Sequence, residues 1–308
     1  MREEKKQKLS ELSGNHKKIR SRFRFQDSLL GYATIFPATF VLIGFFGYPL
    51  FYEVYASFTN STVGQSSEWV GLANYSHLFN DPSFRTASAN TIIYVTSVQS
   101  GKFLLGLAVA LLLSQQLRGR NIWRALVLVP YALPGFVAYA VWRLIYNPDV
   151  GSLNIFLMKI GIIDSPIAFL SNPEWAMPAV VVATIWKGFP FWTIMFLAAL
   201  QSIPKELYEA AATDGCNGFQ KFKHISLPGI RPVILIVFMI STITTLNSFE
   251  AIWLTTGGGP GSATTILPIF AYKSLVAFQI GESAAAALAL VPILFILVFF
   301  VMRKLKKD

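Results

Sequence analysis

The sequence predicts an all-α membrane protein built from six transmembrane helices. Hydrophobic residues make up 54% of the 308 residues and charged residues only 14%, whereas about 25% of the residues of soluble domains are charged. Several apolar segments reach the roughly 20 residues that an α-helix needs to cross a bilayer. Basic residues also concentrate in alternate connecting segments, which is typical of a chain that crosses a membrane repeatedly.

Six spans follow from the apolar segments taken in order. They are predicted at residues 29–52, 88–114, 123–146, 176–200, 232–252 and 284–302. Span two gives the weakest signal, because polar residues lie in its outer half: Thr91, Ser97, Gln99, Ser100 and Lys102. The predicted organisation is a basic tail at 1–28, a six-span domain at 29–302 and a short tail at 303–308.

The distribution of basic residues predicts the orientation. Of the 26 Lys and Arg residues, 20 lie in the two tails and the loops 117–124 and 201–231, whereas the opposite loops hold only Arg85, Lys159 and Lys273. Cytoplasmic loops carry the excess of basic residues, so both termini are predicted to be cytoplasmic. This asymmetry explains the formal charge of +10 without a nucleic-acid partner, and we expect the basic tail to lie against anionic lipid.

Residue counts argue against several kinds of site. Cys216 is the only cysteine, which excludes an internal disulfide and a cysteine-based metal site. His16, His77 and His224 lie in three separate regions, which argues against a histidine metal site or a Ser-His-Asp triad. No Gly-x-x-x-x-Gly-Lys phosphate loop is present. We therefore expect no catalytic residue, metal or cofactor on this chain, and any ATP hydrolysis on another subunit.

A polar segment at 204–228 interrupts the apolar spans and is predicted to form two short helices joined by a turn. Pro204 suits a first helical position, where its missing N–H costs nothing. Asp214-Gly215 supplies a left-handed stop after the first helix. A second helix follows with apolar residues at helical spacing, and Pro228 is expected to end it.

This segment resembles the EAA loop of bacterial ABC-importer permeases. The matching pattern is Glu209-Ala210-Ala211, three residues, Gly215, nine residues and Ile225-Ser226-Leu227-Pro228. The resemblance implies that two ATP-binding subunits dock below the membrane, one on each loop of a permease pair. Small residues would permit close approach, two phenylalanines would act as apolar anchors, and Glu209 would contact a basic residue. The residues assigned to this contact are Glu209, Ala210, Ala211, Asp214, Gly215, Phe219, Phe222, Ile225, Leu227 and Pro228.

The resemblance continues outside this loop. Residues 69–75 look like the first external loop of sugar-importer permeases, 188–191 and 199–204 like the approach to the EAA loop, and 255–261 like the external loop after span five. These matches suggest the maltose-transporter type in its six-span form, a type I ABC importer permease of the bacterial cytoplasmic (inner) membrane. They imply a carbohydrate substrate, either a saccharide or a sugar-like anion, a solute-binding protein that delivers it, and a second homologous permease.

Two other functions stay open at this stage. One is an ABC permease for another solute, such as an amino acid or peptide, against which the Gly-rich loop at 255–261 argues. The other is a stand-alone secondary carrier or membrane enzyme, although secondary carriers commonly show inverted repeats and a coupling-ion site, neither of which is visible. The Gly-rich loop itself is expected to be a flexible external turn that contacts a binding protein or caps the channel.

Six residues are candidates for the substrate pathway. In the resembling permeases, spans four and five line the sugar pocket, and transfer by position gives four of them: Gly188, Phe191, Asn247 and Phe249. The charged Lys102 of span two and Lys187 of span four are the other two, because an ionisable residue within a span usually faces a cavity or a partner. Ordinary helix packing would also explain the small and polar members. Lys187 equally fits a contact with the second permease, and Lys102 fits snorkelling, a pair with Glu250 or a positive potential in the pathway. If both lysines face the pathway, they favour an anionic solute.

Overall fold

The structure, a computed structural model, describes residues 31–62, 64, 67–115 and 118–305. The chain divides into two compact units, Met1–Tyr55 and Ala56–Asp308. The predicted basic tail at 1–28, the predicted start of span one at residue 29 and the last three residues of the C-terminal tail lie outside the described residues.

Helices form nearly all of the regular structure. Five are long and apolar enough to cross a membrane, and there are six spans if one bent pair is counted as a single span. In order, these spans are Gly31–Ser57, Pro82–Ser114, Arg120–Ala132 with Gly135–Ile145, Pro173–Gln201, Gly218–Leu246 and Ile280–Leu305. Shorter helices are Ala73–Asn80, Ser152–Lys159, Lys205–Thr213, Phe249–Thr255 and Leu267–Val276. The described residues contain no β-strand, only isolated bridges, and the predicted all-α class with six spans is confirmed.

Spans two and four begin earlier than predicted because side chains cap them. Asp81 and Asn172 each accept the backbone N–H two residues further on, both at 2.8 Å. A proline follows each cap at the start of the helix, where its lack of a donor is harmless. The helices therefore start at Pro82 and Pro173 instead of residues 88 and 176.

Span three is not the single helix predicted at 123–146. It breaks between Ala132 and Gly135 and turns by 91°. Leu133 is extended, with φ −65° and ψ 140°, which is the conformation that a following proline favours by steric clash. Pro134 also lacks the N–H that would continue the hydrogen-bond ladder. The break leaves backbone groups of this span without helical partners.

The start of span five also differs from the prediction. Pro228 does not end a second short helix, because the helix Gly218–Leu246 runs through it without interruption. A widened π-helical turn, Phe222–Ser226, immediately precedes the proline. A proline ring clashes with the carbonyl four residues before it in a regular α-helix, and a widened turn relieves that clash. The loop and span five are therefore one continuous helix.

Span five ends earlier than the predicted residue 252. The helix stops at Leu246, and Phe249–Thr255 forms a separate helix that packs against the second half of span three. The carboxylate of Glu250 lies against Gly135, the first residue of that half, so closely that a Cβ on Gly135 would be 2.9 Å from its Cδ. A negative charge at a helix N-terminus interacts favourably with the helix dipole. The breaks in spans three and five therefore lie side by side.

In the first unit, residues 31–55 belong to one helix with a π-helical turn at Ile43–Gly47. Its apolar side chains are exposed all around the helix, including Phe45 at 77% and Phe51 at 73%. A helix that is apolar on every side suits a lipid environment.

Spans two and four pack at the centre of the second unit. Trp192 and Phe196 of span four are fully buried, and their rings meet edge to face at 5.5 Å. Gly106 of span two makes this approach possible, because a Cβ there would lie 2.6 Å from the Cβ of Trp192. Glycine at this contact lets the two helices lie closely against each other.

Hydrogen bonds explain polar residues of span two that weakened its sequence signal. Gln99 donates to Thr242 of span five at 2.6 Å and accepts from Ser241 at 2.8 Å. The indole of Trp192 in span four donates to the same Ser241 hydroxyl at 3.0 Å. Buried polar groups cost free energy unless they are hydrogen-bonded, so this network joins three spans at defined positions.

Candidate functional site

The first helix of the predicted EAA loop is Lys205–Thr213, and its ending has the predicted form. Gly215 has φ +78°, a conformation that glycine adopts without strain. Cys216 N–H donates to Ala211 O at 2.9 Å, and Gly215 N–H to Ala212 O at 3.1 Å. This pair of bonds is a Schellman motif. Pro204 stands at the N-cap, one residue before the position predicted for it.

A capping box starts the second helix directly after that turn. Asn217 Oδ1 accepts Gln220 N–H at 2.9 Å, and Gln220 Oε1 accepts Asn217 N–H at 2.8 Å. The arrangement satisfies two backbone donors that a helix start leaves free. The turn is therefore held by local bonds on both sides.

The inner side of the loop is attached to spans four and five. The Tyr208 hydroxyl lies 3.0 Å from the hydroxyl of Ser226, within hydrogen-bond distance. Ile203, at the end of span four, covers Gly229 of span five, where a Cβ would lie 2.8 Å from its Cδ1. Phe222 packs against the core cluster around Trp192. These contacts make the loop a continuation of both spans.

The outer side of the loop is open. Of the ten residues assigned to the ATPase contact, six are exposed and four are half-buried. The exposed ones are Glu209, Ala210, Asp214, Gly215, Phe219 and Pro228, and the half-buried ones are Ala211, Phe222, Ile225 and Leu227. Phe219 is 72% exposed, so the two phenylalanines differ: Phe222 contacts the protein's own core, and Phe219 is free to contact a partner.

A cavity of about 250 Å³ lies between the broken spans. Four of the six predicted pathway residues line it: Lys102, Lys187, Gly188 and Phe191. The remaining lining residues were not predicted: Tyr131, Ile240, Ser241 and Thr244. Spans two, three, four and five all contribute to this cavity, which joins residues far apart in the sequence.

Lys187 supplies a hydrogen-bond donor to a backbone carbonyl at the break in span three. Its Nζ donates to the backbone carbonyl of Tyr131 at 3.0 Å and lies 5.5 Å from the centre of the Tyr131 ring. That carbonyl is one of those that the break removes from the helical ladder. The Tyr131 ring in turn stacks on Phe191 at 6.1 Å, so Lys187 has both a hydrogen-bond acceptor and an aromatic face as partners.

Lys102 is held in a different way. It is only 7% exposed, and its Nζ donates to the hydroxyl of Thr245 at 3.1 Å. Gly188 makes room for it, since a Cβ there would be 2.9 Å from the Nζ. The expected alternatives of snorkelling and of a pair with Glu250 are not observed, because the ammonium is buried and has no carboxylate within 4 Å among the described residues.

Asn247 and Phe249 lie outside this cavity. The Asn247 side chain donates to the Ile243 carbonyl at 2.9 Å, which caps the end of span five. Phe249 stacks on Trp253 at 5.5 Å and meets Tyr272 edge to face at 5.0 Å. Their assignment by position assumed a span that continues to 252, whereas the helix ends at Leu246.

The missed lining residues carried weak sequence signals. Ser241 and Thr244 are three residues apart on span five, which places them on neighbouring parts of one face. Tyr131 follows Pro130 and precedes Pro134, a spacing that marks a distorted helix. Hydroxyl groups and a proline pair near a predicted lysine would have been the signal.

The Gly-rich loop at 255–261 forms several hydrogen bonds with the rest of the second unit. The carbonyls of Gly258 and Gly259 accept from the Thr265 and Thr264 hydroxyls at 2.8 and 2.7 Å. Both threonines are buried, and Asn90 of span two donates to the Thr265 carbonyl at 3.1 Å. The loop is thus a bonded turn on the second unit.

The multi-span bundle, the helical loop continuous with span five and the lysine-containing cavity between broken spans together define a membrane permease. Across the residues that the structure describes, no group of three or more His, Cys, Asp and Glu side chains is placed to hold a metal ion. Two features are candidates for the functional site, the exposed side of the loop and the cavity between the spans.

Comparison with known proteins gives the family. The profile of the family described as "Binding-protein-dependent transport system inner membrane component" matches residues 102–306. The chain is 34% identical over 293 residues to the trehalose/maltose transport system permease protein MalF of Thermococcus litoralis, covering 94% of this chain and 99% of that one. It is 33% identical to the sn-glycerol-3-phosphate transport system permease protein UgpA of Agrobacterium fabrum, covering 92% and 97%.

The solved structures agree on the fold. A chain of a bacterial ABC transporter involved in the import of the acidic polysaccharide alginate superposes with a TM-score of 0.81 at 24% identity, covering 94% of this chain and 99% of that one. The chain belongs to the family of binding-protein-dependent permeases of the inner membrane. It is an ABC-importer permease of the sugar-importer type, as the sequence predicted.

Proposed function

We propose that this chain is one of two permease subunits of an ATP-driven importer for a carbohydrate. A solute-binding protein delivers the substrate, a second homologous permease completes the pathway, and two ATP-binding subunits hydrolyse ATP. The chain itself performs no catalysis. Support for a carbohydrate comes from relatives named for trehalose/maltose, sulfoquinovosyl glycerol and sn-glycerol-3-phosphate transport, all 33–34% identical to this chain.

The observation that carries the proposal is the two-sided form of the loop. Its outer side exposes Glu209 and an apolar ring, Phe219, which a soluble partner would bury. Its inner side is joined to span five by a continuous helix and to span four through Ile203. A partner that grips the outer side therefore moves the two spans that line the cavity.

Transport follows as alternating access. Closure of the two ATP-binding subunits brings the two loops together as rigid bodies. Spans four and five follow their loop, and the breaks in spans three and five allow the halves of these spans to change their angle. Helix breaks of this kind are common points of hinge motion. The cavity then opens alternately to each side of the membrane.

Orientation is part of this proposal: both termini and the loop at 204–228 face the cytoplasm. The support is the concentration of 20 of the 26 basic residues on one side. A reporter fused after Gly218 is expected to report the cytoplasm, and one fused after Asp164 the outside. A report of the outside at Gly218 would remove the ATPase contact from the loop.

Charge reversal tests the role of the loop. In proteoliposomes with all partner subunits, Glu209→Lys is expected to abolish solute-stimulated ATP hydrolysis, because it places like charges across the predicted contact. Asp164→Lys is the matched control, since it makes the same charge change at an exposed residue of the predicted external side. Equal stimulation in Glu209→Lys and wild type, at equal assembly, would contradict the proposal.

A further inference from the structure

The cavity between spans two to five carries two ammonium groups and no carboxylate. Lys102 and Lys187 both line it, and no Asp or Glu is among its lining residues. The uncharged polar side chains that line it carry hydroxyls, those of Tyr131, Ser241 and Thr244, and Lys102 donates to the hydroxyl of Thr245 at 3.1 Å. A buried charge without an opposite charge is costly, and within membranes ionisable residues are usually paired or functional.

The two lysines are not equivalent. Lys187 is half-buried and has partners within the chain: the Tyr131 carbonyl at 3.0 Å, the Tyr131 ring at 5.5 Å and, through electrostatic attraction, the carboxylate of Glu250. Lys102 is 93% buried, and within the described part of the chain its acceptor is the Thr245 hydroxyl at 3.1 Å. An ammonium has three donors, so Lys102 has donors available for a further acceptor in the cavity.

The packing around Lys102 keeps its ammonium at the cavity. Gly188 leaves the space that the end of the side chain occupies, since a Cβ would lie 2.9 Å from Nζ and 3.1 Å from Cδ. A longer residue at 188 would occupy the place of the ammonium. Small residues often serve only helix contact, but here the space is filled by a charged group that faces the cavity.

We propose that Lys102 binds an anionic group of the transported solute, a carboxylate, phosphate or sulfonate carried on the carbohydrate. This inference rests on the proposed import function and names the chemical class of its substrate. The anion supplies the missing opposite charge while it passes. Lys187, by contrast, positions span three through its bond to the Tyr131 carbonyl.

The size of the cavity fits one part of a solute. Its volume of about 250 Å³ is below the roughly 300–1,000 Å³ of sites that enclose a drug-sized ligand. One charged sugar unit would therefore lie against this chain, with the rest of the pathway formed by the second permease. The competing explanation is that a carboxylate of that permease pairs permanently with Lys102, which would leave solute selection unaffected.

The test uses the assembled importer in proteoliposomes with its binding protein, and uptake of two kinds of radiolabelled probe. The anionic probes are sn-glycerol 3-phosphate and a glucuronate-containing disaccharide, and the neutral probes are maltose and trehalose. Wild type is expected to carry at least one anionic probe. Lys102→Met should lower that uptake by about tenfold or more, the effect of losing a hydrogen bond to a charged group, while any neutral probe changes less than about twofold.

Lys159→Met is the matched control, because it removes an exposed positive charge outside the cavity and should leave all uptake unchanged. Gly188→Ala is the second variant, since it keeps the charge but displaces the ammonium, and it should reproduce the selective loss. Lys102→Met replaces a buried charge by an apolar side chain of similar length, a change that folded proteins tolerate.

The uptake results distinguish failure of the Lys102 role from failure of the proposed import function. Transport of neutral probes alone, or equal losses of both kinds of probe in Lys102→Met, overturns the role of Lys102 and leaves carbohydrate import intact. Absence of uptake for all four probes in wild type, with ATP hydrolysis unaffected by any of them, overturns the proposed function itself and this inference with it.

Discussion

The loop at 204–228 and the cavity around Lys102 are built by opposite means. The loop is formed by residues within 25 positions of one another, and its turn is held by bonds between neighbours such as Asn217 and Gln220. The cavity joins residues more than 100 positions apart, such as Tyr131 and Ser241. The proposed partner surface therefore follows from local sequence, whereas the proposed pathway depends on how four spans pack.

The largest expected effect separates the turn of the loop from its surroundings. Gly215→Pro should abolish solute-stimulated ATP hydrolysis, because proline cannot adopt φ +78° and would remove the N–H bonded to Ala212. Gly218→Pro, three residues away, is the control: it falls at the first helical position after an extended Asn217 (ψ 172°), where proline is favoured. Equal loss in both variants would show that the turn itself is unimportant.

The second prediction sharpens the cavity side of the comparison. Gly188→Ala should lower uptake of the anionic probe by about tenfold and leave any neutral probe nearly unchanged, because the new methyl group collides with the Lys102 side chain and displaces its ammonium. The importer should still assemble and hydrolyse ATP. Gly44→Ala is the control, since a Cβ at Gly44 has no atom within 4 Å. Uptake equal to wild type in Gly188→Ala would mean that the position of the ammonium is immaterial.

A smaller effect is expected for Lys187→Met. The variant removes the donor to the Tyr131 carbonyl at the break, and the loss of this exposed hydrogen bond costs about 1 kcal/mol of stability. The thermal unfolding midpoint of the assembled complex should fall. Uptake of neutral and anionic probes should fall by the same factor, in contrast to Lys102→Met. A loss restricted to anionic probes would assign substrate binding to Lys187 as well.

The smallest effect is expected on the inner side of the loop. Tyr208→Phe removes a hydroxyl that lies 3.0 Å from Ser226, and such a bond contributes about 0.5–1.5 kcal/mol. Coupled ATP hydrolysis should fall by less than about tenfold, with basal hydrolysis unchanged. A complete loss would indicate that this single bond, and not the continuous helix, joins the loop to span five.

The same contrast explains what the sequence could predict. The left-handed stop at Gly215 was predictable because its cause lies within a few residues, and the six spans because they follow from length and apolar composition. The angle of 91° in span three was not, although Pro134 marks its place, because neighbouring helices decide whether a proline bends or breaks a span. Tyr131, Ser241 and Thr244 were missed for that reason, and Asn247 was placed in a helix that ends before it.

The contact between Ile203 and Gly229 limits how the molecule can deform. The ends of spans four and five are in van der Waals contact at the base of the loop, so neither end can slide far without the other. A displacement that a partner imposes on the loop is then shared by both helices and is not absorbed by bending of the loop. Because the ends of the two helices move together, a small displacement at the base of the loop rotates both helices at the depth of the cavity.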